Sequence, residues 1–140
     1  KKFHPSGSLS IKLKTVEDLM LIGNKIPFIS ENVNMRNALK IISKKGLGVL
    51  IVKNKNNFTT GILTDGDLKR LTNLDLSSNN LKIKKVMKKN PVKVNENMLA
   101  VEALSIMSEK KITSLYVYKN NKKKIIGLIH MHNILNANIS

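Results

Sequence analysis

Cysteine is absent, which excludes a disulfide framework and thiol chemistry. Tryptophan is absent too, and aromatics make up only 4% of the 140 residues. An interior must therefore be assembled from Ile, Leu, Val and Met. No apolar run reaches membrane-spanning length, and no hydrophobic segment opens the chain. Acidic residues are scarce, 9 against 25 Lys and Arg. They include no pair placed for general acid–base work. Gly-x-Ser-x-Gly, the P-loop, Gly-x-Gly-x-x-Gly and His-Glu-x-x-His are all missing. Absence of cysteine fits a reducing cytoplasm, and cytoplasmic location is the expectation.

What is present is a 41% hydrophobic fraction, enough for a packed interior, and a formal charge of +16. That charge suits nucleic acid, an anionic membrane surface or phosphorylated small molecules. A plainer reading is genome composition, because Lys, Asn and Ile are abundant throughout while Arg is nearly absent. The nucleic-acid reading lacks aromatic stacking residues in a basic groove and any recognised binding motif.

The chain repeats itself. Val16-Glu-Asp-Leu-Met20 is answered by Ile83-Lys-Lys-Val-Met87, and Ala38, Leu39 and Ile42 by Ala103, Leu104 and Met107. Gly61-Ile-Leu-Thr-Asp-Gly-Asp-Leu68 is answered by Gly127-Leu-Ile-His-Met-His-Asn-Ile134. The offsets are 67, 65 and 66, as expected of one unit duplicated with small indels. Residues 1–15 read as a linker with no starting Met, cut from something longer. Residues 16–74 and 83–140 are the two copies, and 75–82 lies within a polar connector.

Each copy reads β-α-β-β-α after a short helical opening turn, an α+β fold. In the first, Ile26–Ile29 is a short strand, and Met35, Ala38, Leu39 and Ile42 follow at helical spacing up to Gly46. Gly48–Val52 and Thr60–Thr64 are strands, and a closing helix opens at Asp67. In the second, Pro91–Val94 is the short strand, Ala100 to Met107 the helical stripe, Thr113–Tyr118 and Ile125–His130 the strands, and Asn133–Ala137 the closing helix. One copy has a marginal core, so two are expected to share an interface.

The sharpest local signal is the turn Thr64-Asp65-Gly66-Asp67. Thr64 can donate a hydroxyl to phosphate, and Asp67 can accept from two ribose hydroxyls. Unpaired N–H groups at the helix start, with Lys69 and Arg70, favour an anion. The competing reading is that Asp65 or Asp67 merely caps the helix. The equivalent turn substitutes His130 for Thr64 and Asn133 for Asp67. His130-x-His132 lacks a third ligand at sensible spacing, so no metal is assigned. A hydrogen bond from His130 to phosphate and a plain surface histidine both remain open. The methionines 35, 87, 98 and 107 read as core packing.

The duplicated unit ending in Gly-apolar-apolar-Thr-x-x-Asp resembles the cystathionine-β-synthase-type (CBS) domain, over about residues 16–138. The resemblance implies a tandem pair with pseudo-two-fold symmetry whose clefts bind adenine nucleotides or related ligands. Thr64 and Asp67 would take the phosphate and ribose roles. Asn133, an amide, departs from the usual Asp, and His130 from Ser or Thr.

Phe3-His-Pro-Ser-Gly-Ser-Leu9, Lys45-Gly-Leu-Gly48, Thr64 to Arg70, Leu99 to Leu104 and His130 to Leu135 together resemble the C-terminal part of D-arabinose-5-phosphate isomerases. That family converts D-ribulose 5-phosphate to D-arabinose 5-phosphate for Kdo and lipopolysaccharide synthesis. Ser6 and Ser10 replace glycines usual in the linker motif. By this resemblance His4 is a remnant of the isomerase active site, the catalytic domain is missing, and no turnover is expected of this chain alone.

The implied role is a regulatory and oligomerisation module of a cytoplasmic enzyme. It would require no cofactor and take an adenine nucleotide or CMP-Kdo as regulatory ligand. Its ligand site would comprise Thr64, Asp65, Gly66, Asp67, His130 and Asn133. It would pair with itself as a homodimer, a tetramer in the intact enzyme, with no membrane or nucleic-acid partner. The alternatives are a purely structural dimerisation module with an empty cleft, or a basic nucleic-acid-binding domain.

Overall fold

A computed structural model describes residues 12–77, 81–119 and 125–137. The linker motif and His4 lie outside them. The chain divides into a continuous unit, residues 26–91, and a split unit, residues up to 25 together with those from 92 on.

In the continuous unit, β1 (Phe28–Ser30), β2 (Val49–Lys53) and β3 (Thr59–Thr64) form a sheet in the order β1-β2-β3. β1 runs parallel to β2, and β2 antiparallel to β3. A parallel pair needs a crossover, and α2 (Met35–Lys45) supplies it; α1 (Val16–Leu19) belongs to the split unit. Asn34 caps α2, its Oδ1 accepting from the Asn37 N–H at 2.8 Å. Gly46, at φ 72°, ends the helix in the left-handed conformation that glycine adopts without strain.

Met35, Ala38 and Ile42 turn inward from α2 and pack with Ile29, Leu50, Val52, Leu63 and Leu68. The short helix α3 (Asp65–Lys69) adds Leu68 to this core. Here the closing helix begins at Asp65, two residues earlier than the sequence suggests, because Thr64 is the cap. The polar connector also holds an unforeseen helix, α4 (Asn73–Ser77). Thr72 and Asp75 cap it reciprocally, and Leu76 packs against the core.

The split unit repeats the pattern with β4 (Lys93–Asn95), β5 (Ser114–Tyr118) and β6 (Ile125–His130). α6 (Ala100–Lys110) is its crossover and α7 (Met131–Ala137) its closing helix. Ala100, Ala103 and Met107 face a core of Val94, Leu115, Val117, Ile129 and Ile134.

These compact units are not the two sequence repeats. The opening turn of the first repeat, α1 (Val16–Leu19), places Val16 in the core of the second repeat's sheet. The opening turn of the second, α5 (Ile83–Val86), places Ile83 in the core of the first repeat's sheet.

Backbone hydrogen bonds hold the exchanged segments. Leu21 and Leu128 bond reciprocally at 2.8 and 3.1 Å, and Ile62 and Lys88 at 2.9 and 2.8 Å. This exchange explains Gly61 and Gly127. A Cβ on Gly61 would stand 2.7 Å from the Lys88 carbonyl oxygen, and one on Gly127 would strike Met20. Glycine in a strand marks such a close backbone approach.

Candidate functional site

The Thr64–Asp67 turn sits where β3 passes into α3. Its start is pinned by the Asp65 N–H, which donates to the Gly48 carbonyl at 2.8 Å. Gly48 is at φ 73°, a conformation open to glycine. Two reciprocal bonds close the turn. The Asp67 N–H donates to Thr64 Oγ1 at 3.2 Å, and the Thr64 N–H donates to Asp67 Oδ2 at 3.0 Å. This is a capping box, so the capping reading of the sequence describes what these side chains do. The same Thr-x-x-Asp box recurs at Thr15 with Asp18 and at Thr72 with Asp75.

Capping leaves chemistry to spare at Thr64. Its oxygen accepts from Asp67, so the hydroxyl hydrogen can still be donated. Asp67 is only 7% exposed. Its Oδ1 accepts from Arg70 at 3.1 Å and lies 3.9 Å from Lys88 Nζ. Asp65 pairs with Lys69 at 3.0 Å. Gly66 packs with open space around it: a Cβ there would meet Arg70 and Thr64 at ordinary contact distance. Two carboxylates and three cations thus share one turn. Lys88 was not legible in the sequence as part of this group. It lies far along the chain, and only the pairing of Ile62 with Lys88 brings it here.

The second turn keeps the geometry and changes the chemistry. The Met131 N–H donates to the Thr113 carbonyl at 2.7 Å, as Asp65 does to Gly48. Asn133 Oδ1 accepts from the His130 N–H at 2.8 Å, in the place of Asp67 Oδ2. His130 Nδ1 accepts from the His132 N–H at 3.0 Å, doing as an acceptor what Thr64 Oγ1 does. In the neutral imidazole this puts the ring proton on Nε2.

His130 is buried, 5% exposed, and its ring stacks on His132 with centroids 4.7 Å apart. The surface-histidine reading is therefore wrong for His130: it ends a strand and is drawn inward as a cap. The three cations are gone as well. Leu135 replaces Lys69, Asn136 replaces Arg70, and Leu21 pairs with Leu128 where Lys88 pairs with Ile62.

The structure therefore brings Thr64, Asp65, Gly66 and Asp67 together in the continuous unit, and His130 and Asn133 together in the split unit. None of the six lines the cavity of about 350 Å³ in the continuous unit. That cavity is bordered by Glu31, Asn34, Arg36, Leu76, Lys82 and Ile83. It adjoins the end of β2 at Lys53, whereas Thr64 pairs with Val49 at the other end. Among the described residues, no group of three His, Cys, Asp or Glu side chains is placed to hold a metal. No helix among them is long and apolar enough to cross a membrane.

Comparison with known proteins matches this description. The chain is 37% identical to arabinose 5-phosphate isomerase KdsD of Yersinia pestis over 137 residues, 97% of this chain. It spans only 41% of that protein's length. Its fold is similar to CBSX2 of Arabidopsis thaliana in complex with AMP, with TM-score 0.79, 24% identity, and coverage of 90% of this chain and 96% of that one. It is also similar to the CBS domain pair of protein MJ0100 in complex with 5′-methylthioadenosine and S-adenosyl-L-methionine, with TM-score 0.72, 20% identity, and coverage of 89% and 94%. The CBS domain sequence model matches residues 16–73 and again 83–140, so the chain belongs to the CBS domain family as a tandem pair.

Proposed function

We propose that this chain is the regulatory and self-associating module of a cytoplasmic isomerase acting on D-ribulose 5-phosphate and D-arabinose 5-phosphate, and that it binds a nucleotide at the Thr64 turn. The observation that carries the site is the asymmetry between the two turns. The first keeps a free hydroxyl donor, a carboxylate and three cations; the second has become a neutral cap. Phosphate would take the Thr64 hydroxyl hydrogen and draw Arg70 and Lys88 toward itself. Asp67, released from Arg70, would accept the ribose hydroxyls, while Asp65 and Gly66 hold the backbone of the turn.

His130 and Asn133 would contribute at most a donor from imidazole or amide, since the carboxylate a ribose diol prefers is absent there. The adenosine compounds bound by CBSX2 and MJ0100 support an adenine nucleotide. CMP-Kdo, the nucleotide sugar downstream of the proposed reaction, is the other candidate. Ligand binding regulates an attached catalytic domain only if it prefers one of two packings. The proposal expects no sugar-phosphate turnover by this chain alone, because nothing among the described residues assembles a base and a sugar-phosphate pocket.

The test is calorimetric titration of the chain with AMP, ATP and CMP-Kdo, repeated on a Thr64→Ala, Asp67→Ala double variant. The reading expects binding of one of them and its loss in the variant. Unchanged heats in the variant would remove the site. The reciprocal bonding within both turns, Thr64 with Asp67 and His130 with Asn133 and His132, favours a second reading, a structural module that binds no nucleotide. An absence of heat with all three compounds would support it.

A further inference from the structure

The two exchanged opening segments are held differently. In the split unit, residues 14–17 are zipped onto the loop that leads into α6. The Val16 N–H donates to the Met98 carbonyl at 2.8 Å, the Glu17 N–H to Glu96 at 3.0 Å, and the Ala100 N–H to Lys14 at 2.8 Å. The corresponding parts of the continuous unit are residues 81–84 and the loop of residues 31–35 that leads into α2. Among the described residues none of the three bonds forms there, neither Ile83 to Val33, nor Lys84 to Glu31, nor Met35 to Leu81. The cavity of about 350 Å³ stands in their place, with both segments on its walls. Beyond it the units agree again, since Lys88 bonds Ile62 as Leu21 bonds Leu128. The opening is therefore confined to the stretch where the duplicate is shut.

The walls of this slot carry mixed chemistry. The Glu31 side chain is only 15% exposed, and its carboxylate meets Lys84 at 3.5 Å. Asn34 commits its Oδ1 to the cap of α2, which leaves its NH₂ group as a donor. The Val33 and Leu81 carbonyls and the Met35 and Ile83 N–H groups lack the bonds of their duplicates, and so add further acceptors and donors. Hydroxyl groups, which both donate and accept, suit such a mixture. Arg36 and Lys82 border the same cavity and form no ion pair among the described residues. The duplicate has Val101 and Thr15 in their places. No aromatic side chain among the described residues lines the slot, so nothing there stacks a base. Glu31 is the one carboxylate on its described walls and is paired, so the slot holds no acid–base couple for turnover.

We infer that this slot is a second binding site, separate from the Thr64 turn, and that it takes a small polyhydroxylated anion. Hydroxyls of the ligand bond Glu31, Asn34 and the backbone groups that the duplicate pairs directly. Its phosphate or carboxylate meets Arg36 and Lys82, and its C–H surface covers Val33 and Leu76. The volume of about 350 Å³ lies at the small end of the roughly 300–1,000 Å³ usual for ligand cavities, a size for a single sugar unit. Such a ligand bridges residues 31–35 to residues 81–84, as three backbone bonds do in the split unit, and so ties α5 to the start of α2.

The experiment is amide NMR titration of the full chain with D-glucose 6-phosphate, D-gluconate, D-glucose and inorganic phosphate. Three variants are compared with the parent: Arg36→Ala with Lys82→Ala, Glu31→Gln, and Thr64→Ala with Asp67→Ala. The inference expects at least one of the two hydroxylated anions to saturate below about 10 mM, with shifts centred on residues 31–36 and 81–84. Which of them does so distinguishes phosphate from carboxylate. D-glucose and inorganic phosphate should each bind roughly tenfold more weakly or less, because each lacks half of the contacts. The Arg36, Lys82 variant and Glu31→Gln should lose roughly tenfold or more, and the Thr64, Asp67 variant nothing. Arg36 and Lys82 are exposed, so their replacement keeps the fold and carries the test even if Glu31→Gln does not fold. No saturation by either hydroxylated anion would overturn the inference. Inorganic phosphate binding as well as D-glucose 6-phosphate would do the same, and so would shifts at residues 64–70 that vanish in the Thr64, Asp67 variant alone.

Discussion

Gly61→Ala tests the exchange of opening turns directly. Gly61 lies in β3 opposite Val52, and the incoming chain at Met87 and Lys88 passes directly over it. An added Cβ would stand 2.7 Å from Met87 Sδ and 2.7 Å from the Lys88 carbonyl oxygen. The methionine side chain can swing away. The carbonyl cannot move freely, because it accepts from the Ile62 N–H at 2.9 Å while the Lys88 N–H donates to Ile62 at 2.8 Å. Relief therefore lengthens both bonds of that pair.

Overpacking costs about 1–3 kcal/mol, and each weakened hydrogen bond up to about 1 kcal/mol. Losing glycine's freedom in the unfolded chain returns about 0.5–1 kcal/mol. The net is about 2–3 kcal/mol, a large share of the 5–15 kcal/mol that typically holds a domain together. Urea denaturation should show a lower midpoint with an unchanged slope, and thermal melting a fall of roughly 6–10 °C. Gly66→Ala is the internal control. Its Cβ would meet nothing closer than 3.6 Å, and in a helix alanine gains up to about 1 kcal/mol. If Gly61→Ala melts with the parent, or Gly66→Ala proves the weaker of the two, the close approach of Lys88 is not what the glycine serves.

Three further outcomes follow from local electrostatics and capping. Thr72→Ala should remove the reciprocal cap of α4 at a cost of about 1 kcal/mol. Because α4 buries no residue fully, the effect should be local. Amides of residues 73–77 should exchange roughly fivefold faster in deuterium-exchange NMR with the global melt little changed; an unchanged exchange rate would refute it. The carboxyl of Glu17 is raised above its ordinary 4.5 by a hydrogen bond and like charge from Glu96. That of Asp18 is held below its ordinary 3.8 by the Thr15 N–H and hydroxyl. Glu17 therefore adds stability below about pH 4.5 that is lost as pH rises through its folded value. Asp18 adds stability above about pH 3.8 that is lost as pH falls through its folded value. Glu96→Gln should raise the neutral-pH melting point and return Glu17 toward its ordinary titration by NMR. Asp18→Asn should lower stability at pH 7 and not at pH 2. The opposite signs would refute the assigned causes.

The six strands lie close to where short apolar, β-branched runs between polar turns place them, because such runs need only neighbouring residues. The crossover helices are legible for the same reason: Asn34 at the start, apolar residues at three- and four-residue steps, Gly46 at the end. α4 escaped notice because Asn73-Leu-Asp-Leu-Ser77 is short and its two leucines alternate instead of following helical spacing; its Thr72–Asp75 box was its one signal. At the candidate site, the contiguous residues from Thr64 to Arg70 could be read along the chain. Lys88 could not, and neither could the burial of His130, since strand pairing and tertiary packing decide both.

By itself, then, the amino-acid order determined the duplication and the kind and succession of the repeated elements. Each depends on interactions within a few residues and so leaves a local pattern. Only the tertiary structure decided that Val16 joins the second repeat's sheet and Ile83 the first's, and that Gly61 and Gly127 make room for the segments so exchanged. Those contacts join residues tens of positions apart, and the same opening turn would read identically in sequence whichever sheet it covered.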